Sequence, residues 1–190
     1  MELKIWCKTF LNVYRSLEKI TQAIDKIVLT TGLNLSLDAS TCAGKILELT
    51  ERKITLINLK LFIEKLLNSL PEKHTQIIML KYVDQAKSED IARQMCISSR
   101  TFFRKTNASL KSMELALKQE GKTHESLLME YKKEVWIVDL FQKLLQQELL
   151  TDCKGESSKD KKEGMFQETK LINIAYENYK KINQSNATIL

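Results

Sequence analysis

From Phe10 onward, apolar residues recur at Val13, Leu17, Ile20, Ile24 and Ile27 in alternating steps of three and four. That spacing lays one stripe along an amphipathic helix, with Arg15, Glu18, Lys19, Gln22, Asp25 and Lys26 on its other faces. The segment Thr30-Thr31-Gly32-Leu33-Asn34 breaks the pattern, and the small and polar residues through Gly44 predict a loop. A second long helix is expected from about Lys45 to Asn68. It is apolar on a broad front (Ile46, Leu49, Ile54, Leu56, Ile57, Leu59, Leu61, Phe62, Ile63, Leu66, Leu67), more than one neighbour would cover. Two helices of about 25 residues make a hairpin roughly 35–40 Å long. Its stripe serves either an intramolecular core or a homodimer, because heptad-like spacing does not say whose helix fills the holes. Residues 1–68 are therefore read as a helical hairpin or coiled-coil region.

Residues 69–118 contain three shorter periodic runs with tight turns between them. Ser69-x-x-Glu72 fits a capping box, with Pro71 in the first turn, where its missing N–H costs little. Ile77, Ile78, Leu80 and Tyr82 follow as core contacts. The middle helix starts near Ser88, with Glu89 and Asp90 at the positive end of its dipole. Its Ile91 and Ala92 face inward, and position 92 needs a small residue so that the next helix can approach. Ser98 is placed to cap that third helix. There Phe102, Thr106, Ser109 and Met113, with Leu110 alongside, fall on an inner face. Arg100, Phe103, Arg104 and Asn107, at i, i+3, i+4 and i+7, fall opposite, with Ser99 and Thr101 at the exposed N-terminal end.

Past Gly121, a helix stop, Thr123 or Ser126 can cap one further amphipathic helix over 122–150 with the stripe Leu128, Tyr131, Val135, Val138, Leu145 and Leu149. Residues 151–190 read as a flexible linker and tail: the charged run to 169 is too poor in apolar residues to offset the entropy of ordering. Beyond it, Leu171, Ile172, Ile174, Tyr176 and Tyr179 suggest a short helix. Five Gly and one Pro in 190 residues leave little material for a turn-rich β fold, so the expected class is all-α.

A formal charge of +6 and a pI near 9.0 suit a polyanionic partner without requiring one. The local balance is more telling, because residues 98–118 hold five basic side chains (Arg100, Arg104, Lys105, Lys111, Lys118) against the single acid Glu114. The four cysteines (Cys7, Cys42, Cys96, Cys153) form no C-x-x-C pair, which speaks against a zinc site and for a reducing, cytoplasmic compartment. His74 and His124 lack a partner set and read as surface residues, and Glu89-Asp90 as dipole partners. Trp6 and Trp136 read as packing residues. No phosphate loop, nucleophile elbow or H-E-x-x-H element is present. No catalytic residue, metal or cofactor is assigned, an enzyme is not expected, and no apolar run reaches the roughly 20 residues of a membrane span.

The outer side of the third helix has the chemistry of double-stranded DNA readout. An α-helix fills the major groove, Arg chelates guanine, Asn pairs with adenine and an aromatic ring meets a thymine methyl. Ser99, Arg100, Thr101, Phe103, Arg104 and Asn107 are the candidate base-facing residues, while Lys105 and Lys111 lie further round or further along, where phosphates run. The plainer alternative for Arg100 and Arg104 is a solvated helix face, and for Phe103 a packing contact.

Leu70-Pro71, Ile77-Ile78-x-Leu80-x-Tyr82, Asp90-Ile91-Ala92 and Ile97-Ser98-x-Arg100-Thr101-Phe102-x-Arg104 resemble region 4 of bacterial sigma factors. They are more similar still to the sigma-like helix-turn-helix of ArpU/RinA-type phage transcriptional regulators. The resemblance implies a tri-helical DNA-binding domain and control of transcription, of phage or prophage genes. It covers about fifty residues and does not include the sigma segment that binds the promoter −10 element. Gln85 and Cys96 depart from it where glycine is usual in the two turns, and Lys87 where Ser or Thr usually caps the middle helix, with Ser88 one residue on as the substitute. RNA polymerase, as the partner of an adaptor that reads no DNA, and a role as a phage DNA-packaging recognition subunit are the alternative readings.

Overall fold

The computed structural model describes residues 2–153, and every regular element among them is helical, as an all-α fold requires. In order they are α1 (Glu2–Gly32), α2 (Ala39–Asn68), α3 (Glu72–Ile78) running into a π-helical turn (Met79–Val83), α4 (Ser88–Gln94), α5 (Ser99–Gln119), α6 (His124–Tyr131) and α7 (Val135–Cys153). The expected linker and tail lie, past Cys153, outside the described residues. The described chain divides into two compact units, one of residues 16–61 and one of residues 2–15 with 62–153.

Residues 16–61 form the hairpin. The predicted stripe holds: Leu17, Ile20, Ile24 and Ile27 are buried, as are Leu56 and Leu59 on α2. Ion pairs Lys53–Asp25 and Lys60–Glu18 fix the antiparallel register, and the Cys42 thiol donates to the Thr31 carbonyl at 3.3 Å. The connection is shorter than expected, because α2 begins at Ala39 and Ser40–Gly44 are helical. Asp38 is the cause. Its carboxylate accepts the Thr41 N–H at 2.9 Å and its carbonyl accepts that of Cys42 at 3.0 Å, satisfying amides at the new helix start. The side-chain and backbone hydrogen bonds of Thr41 hold this carboxyl below its ordinary range.

The other unit is built round aromatic rings. Trp6, Phe10 and Tyr131 are buried, and Trp6 stacks on Phe141 at 4.5 Å between ring centroids. Phe10 meets Tyr131 edge-on at 5.8 Å and Phe62 at 6.3 Å. Where one helix was expected over 122–150, two form. The buried residues are Leu127 and Tyr131 on α6 and Ile137, Leu140, Phe141 and Leu144 on α7, and an unbroken helix would not aim both sets one way. The break falls at Lys132–Glu134, where buried Glu134 accepts the Trp136 indole N–H at 2.9 Å. Of the stripe predicted there, Val135 and Leu149 are exposed. The start of α6 is as read: Gly121 turns with φ +70°, and Thr123 and Ser126 form a reciprocal capping box.

His74 and His124 are half-buried, not surface residues. His124 Nδ1 accepts from the Trp6 indole at 3.0 Å, and His74 Nδ1 lies 3.1 Å from the Ser112 hydroxyl. The Ser69 capping box does not form either. Pro71 is the N-cap of α3, and the Ser69 hydroxyl instead donates to the Leu66 carbonyl at 2.7 Å, closing the end of α2. No helix among the described residues is long and apolar enough to cross a membrane.

Candidate nucleic-acid interface

The helix-turn-helix is α4 and α5 with α3 behind them, joined by a small core of Ile77, Ile91, Ala92 and Phe102. Leu80, Ala86, Met95 and Ile97 pack against its edge. Ala92 lies in this core, where a larger side chain would collide with Phe102 and part the helices, at about 1–3 kcal/mol.

Two turns set the helix directions, and each is made by a non-glycine residue in the left-handed region. Gln85 has φ +52° and Cys96 has φ +53°. After α4, the Ile97 N–H donates to the Ala92 carbonyl at 2.9 Å and that of Cys96 to Arg93 at 3.1 Å. This is the Schellman pattern, with Cys96 in the position that glycine usually fills. After α3 the helix widens before it ends: Asp84 N–H donates to Met79 and Ala86 N–H to Leu80, one and two residues further back than α-helical closure would give. Both glycine positions of the resembled motif are thus left-handed turns here, occupied by residues that pay for the conformation.

Helix α4 starts on Lys87, which makes no side-chain cap, and Ser88 is the first helical residue and not a substitute cap. Ser98 does cap α5, its Oγ accepting the Thr101 N–H at 3.2 Å. The inner face of α5 is as read from the sequence, with Phe102, Thr106, Ser109, Leu110 and Met113 all buried.

The eight candidate residues divide into three groups on α5. Arg100, Arg104, Asn107 and Lys111 share one exposed side across three turns, and Ser99 is exposed at the helix start. Phe103 flanks them, with its ring 42% exposed, 5.6 Å from Phe102 and beneath Lys81, whose Nζ is 5.4 Å from the centroid. Thr101 and Lys105 lie on the opposite flank and are half-buried. The Thr101 hydroxyl is 2.9 Å from Ser98 Oγ, so it belongs to the cap as much as to the surface. Lys105 shares its flank with Ser112, the residue His74 of α3 contacts, and is set apart from Arg104. Lys81, brought to Phe103 by the π-helical turn, is a neighbour of this surface that helical periodicity missed.

No group of three or more potential metal ligands occurs among the described residues. Burial, with the Glu114 charge adding to it, pushes the Cys7 thiol up to about 12.

Residues 44–114 match a family described as "Protein of unknown function (DUF1492)". The matched stretch, under half of the chain, begins within α2, takes in α3 and α4 and ends within α5. No curated protein and no solved structure matches.

Proposed function

We propose that this chain is a sequence-specific, double-stranded DNA-binding transcriptional regulator that lays the first turns of α5 in the major groove. The observation that carries the reading is the shared exposed side of Arg100, Arg104, Asn107 and Lys111 on a capped helix whose opposite face is fully packed. Arg100 and Arg104 are one turn apart, so both guanidinium groups reach base edges in a single groove passage, each bidentate contact discriminating by about 1–3 kcal/mol. Asn107 continues the row toward adenine, and Phe103 offers a ring to thymine methyl groups. Lys111, one turn beyond Asn107, meets phosphate, as does Lys105 on its own flank. Lys81, above the ring, adds a charge beside the same surface.

A regulator of this kind works in the cytoplasm, suited to free thiols at Cys7, Cys42 and Cys96, and carries a sigma-like module of phage or prophage type. RNA polymerase is a natural protein partner, and a second copy of the chain would match a two-fold operator.

The deciding experiment selects fragments from the source genome on the purified protein and measures their binding between 50 and 200 mM salt. Affinity for selected fragments should fall by about tenfold or more over that range as counterions are released. Arg104→Ala should reduce the preference for selected over random fragments, whereas Lys111→Ala should weaken both alike. Retention on polymerase with no DNA bound at low salt would favour the adaptor reading, and a ring-sized oligomer the packaging one.

A further inference from the structure

The ammonium of Lys81 lies among three aromatic rings. Its Nζ is 5.6 Å from the centroid of Tyr82, 5.5 Å from that of Phe102 and 5.4 Å from that of Phe103. Each separation is within the roughly 6 Å over which a cation is attracted to a ring face, and the attraction grows as water is excluded. Lys81 is half-buried. Its backbone places it there: Leu80, the residue before it, packs against the core of Ile77, Ile91, Ala92 and Phe102, and the π-helical turn Met79–Val83 sets the direction in which Lys81 leaves the chain. Such widened turns recur at functional sites.

The rings differ in what the cation does for them. Phe102 is fully buried and fixed by the core, whereas Phe103 is 42% exposed beside Arg100 and Arg104 on α5. A phenylalanine on an open helix face turns among its staggered rotamers. Phe103 is held from two directions, by the edge contact with Phe102 at 5.6 Å and by Lys81 over its ring. The ring is thus ordered with part of its surface still open, and order established before a ligand arrives removes an entropic cost from binding. Reaching out to a phosphate would forfeit all three ring contacts of Lys81. We infer that Lys81 is a positioning residue for base readout, which fixes the Phe103 ring against α5 to meet a thymine methyl group and does not itself neutralise a phosphate. This role rests on the reading of α5 as the helix that enters the groove.

Proton NMR of the full chain without DNA is the first half of the test. The ε-methylene protons of Lys81 should lie well upfield of those of other lysines, shifted by the ring currents, and Phe103 should occupy one χ1 rotamer. In Lys81→Met, which keeps the stem and loses the charge, the Phe103 rotamers should average. Lys81→Arg should keep the ring ordered, since a guanidinium also stacks on aromatic faces.

Binding is the second half. Fragments selected on the wild type are remade with deoxyuridine in place of each thymine in turn, which removes one methyl group. The wild type should lose about fourfold in affinity at one thymine, the equivalent of one buried methyl. Phe103→Ala and Lys81→Met should bind the two forms alike, and Lys81→Arg should discriminate as the wild type does. The dependence of log Kd on log salt should be the same for Lys81→Met as for the wild type. Lys81 ε-protons at the ordinary lysine position, ring order or methyl discrimination retained in Lys81→Met, or a salt slope reduced by about one, the mark of a lost phosphate contact, would each overturn the inference. A wild type that retains no fragment sinks the DNA-binding reading and this role with it, whereas retention with no methyl effect overturns the role alone.

Discussion

The indole N–H of Trp6 donates to Nδ1 of His124 across 3.0 Å, and the His124 ring stacks on Phe141 at 5.1 Å. A fully buried tryptophan thereby satisfies its one polar atom without water. Taking away the acceptor should cost about 1–3 kcal/mol, because the indole donor remains buried. His124→Leu should therefore lower the urea midpoint, and His124→Gln, whose amide oxygen accepts, should recover part of the loss. Equal midpoints for the two variants would show that only ring packing counts.

Cys96 and Gln85 hold left-handed backbone that costs an L-residue roughly 1–2 kcal/mol. Glycine adopts it freely but loses more entropy on folding. The balance predicts that Cys96→Gly and Gln85→Gly each stabilise by about 0.5–1 kcal/mol. Thermal melts of the single and double variants check this, and the double should come near the sum, since the two turns lie at opposite ends of α4.

Much of this fold was legible in the chain. The α1 stripe, the Ser98 cap, the inner face of α5 and the Gly121-Thr123-Ser126 start of α6 all follow from local rules that tertiary packing did not override. The failures are equally physical. Over 122–150 more than one apolar period fits, and only packing selects Leu127, Ile137, Leu140, Phe141 and Leu144. Asp38 was hidden as a cap by its small and polar neighbours. The widened turn at Met79–Val83 leaves no mark in composition, so Lys81 could not be placed over Phe103 by periodicity. Of the candidate surface, the exposed row on α5 followed from helical spacing, whereas the half-burial of Thr101 and Lys105 depended on a cap bond and on α3.

Glu148 on α7 is bonded by Lys8 and, at 3.3 Å, by Lys4 of α1. Burial alone would raise its pKa, but the Lys8 hydrogen bond and charge, with those of Lys4, together hold the carboxyl below its ordinary range. A folded-state pKa below the unfolded value, about 4.3, contributes stability that is complete above that pH and vanishes as pH falls through the folded value. The melting temperature of Glu148→Gln should therefore lie below wild type at pH 7. That gap should narrow below about pH 4.3 and close at lower pH. A gap independent of pH would mean that the pair adds nothing beyond packing.

Cys7 is buried, and its raised pKa leaves almost no thiolate at neutral pH. With Cys42, Cys96 and Cys153 replaced by serine, a disulfide reagent at pH 8 should modify the native protein at least about a hundredfold more slowly than the urea-unfolded chain. Comparable rates would reveal frequent opening of the unit that holds the start of α1.

Helix α5 is a single run of 21 residues. Its exposed row occupies the first three turns or so, and the same rod continues into the buried side chains Met113, Ala116 and Leu117. Its first turns therefore cannot pivot without bending an intact helix or dragging the interior with them. Fitting to differently shaped surfaces is left to the long side chains of Arg100, Arg104 and Lys111, an adjustable fringe on a fixed bar.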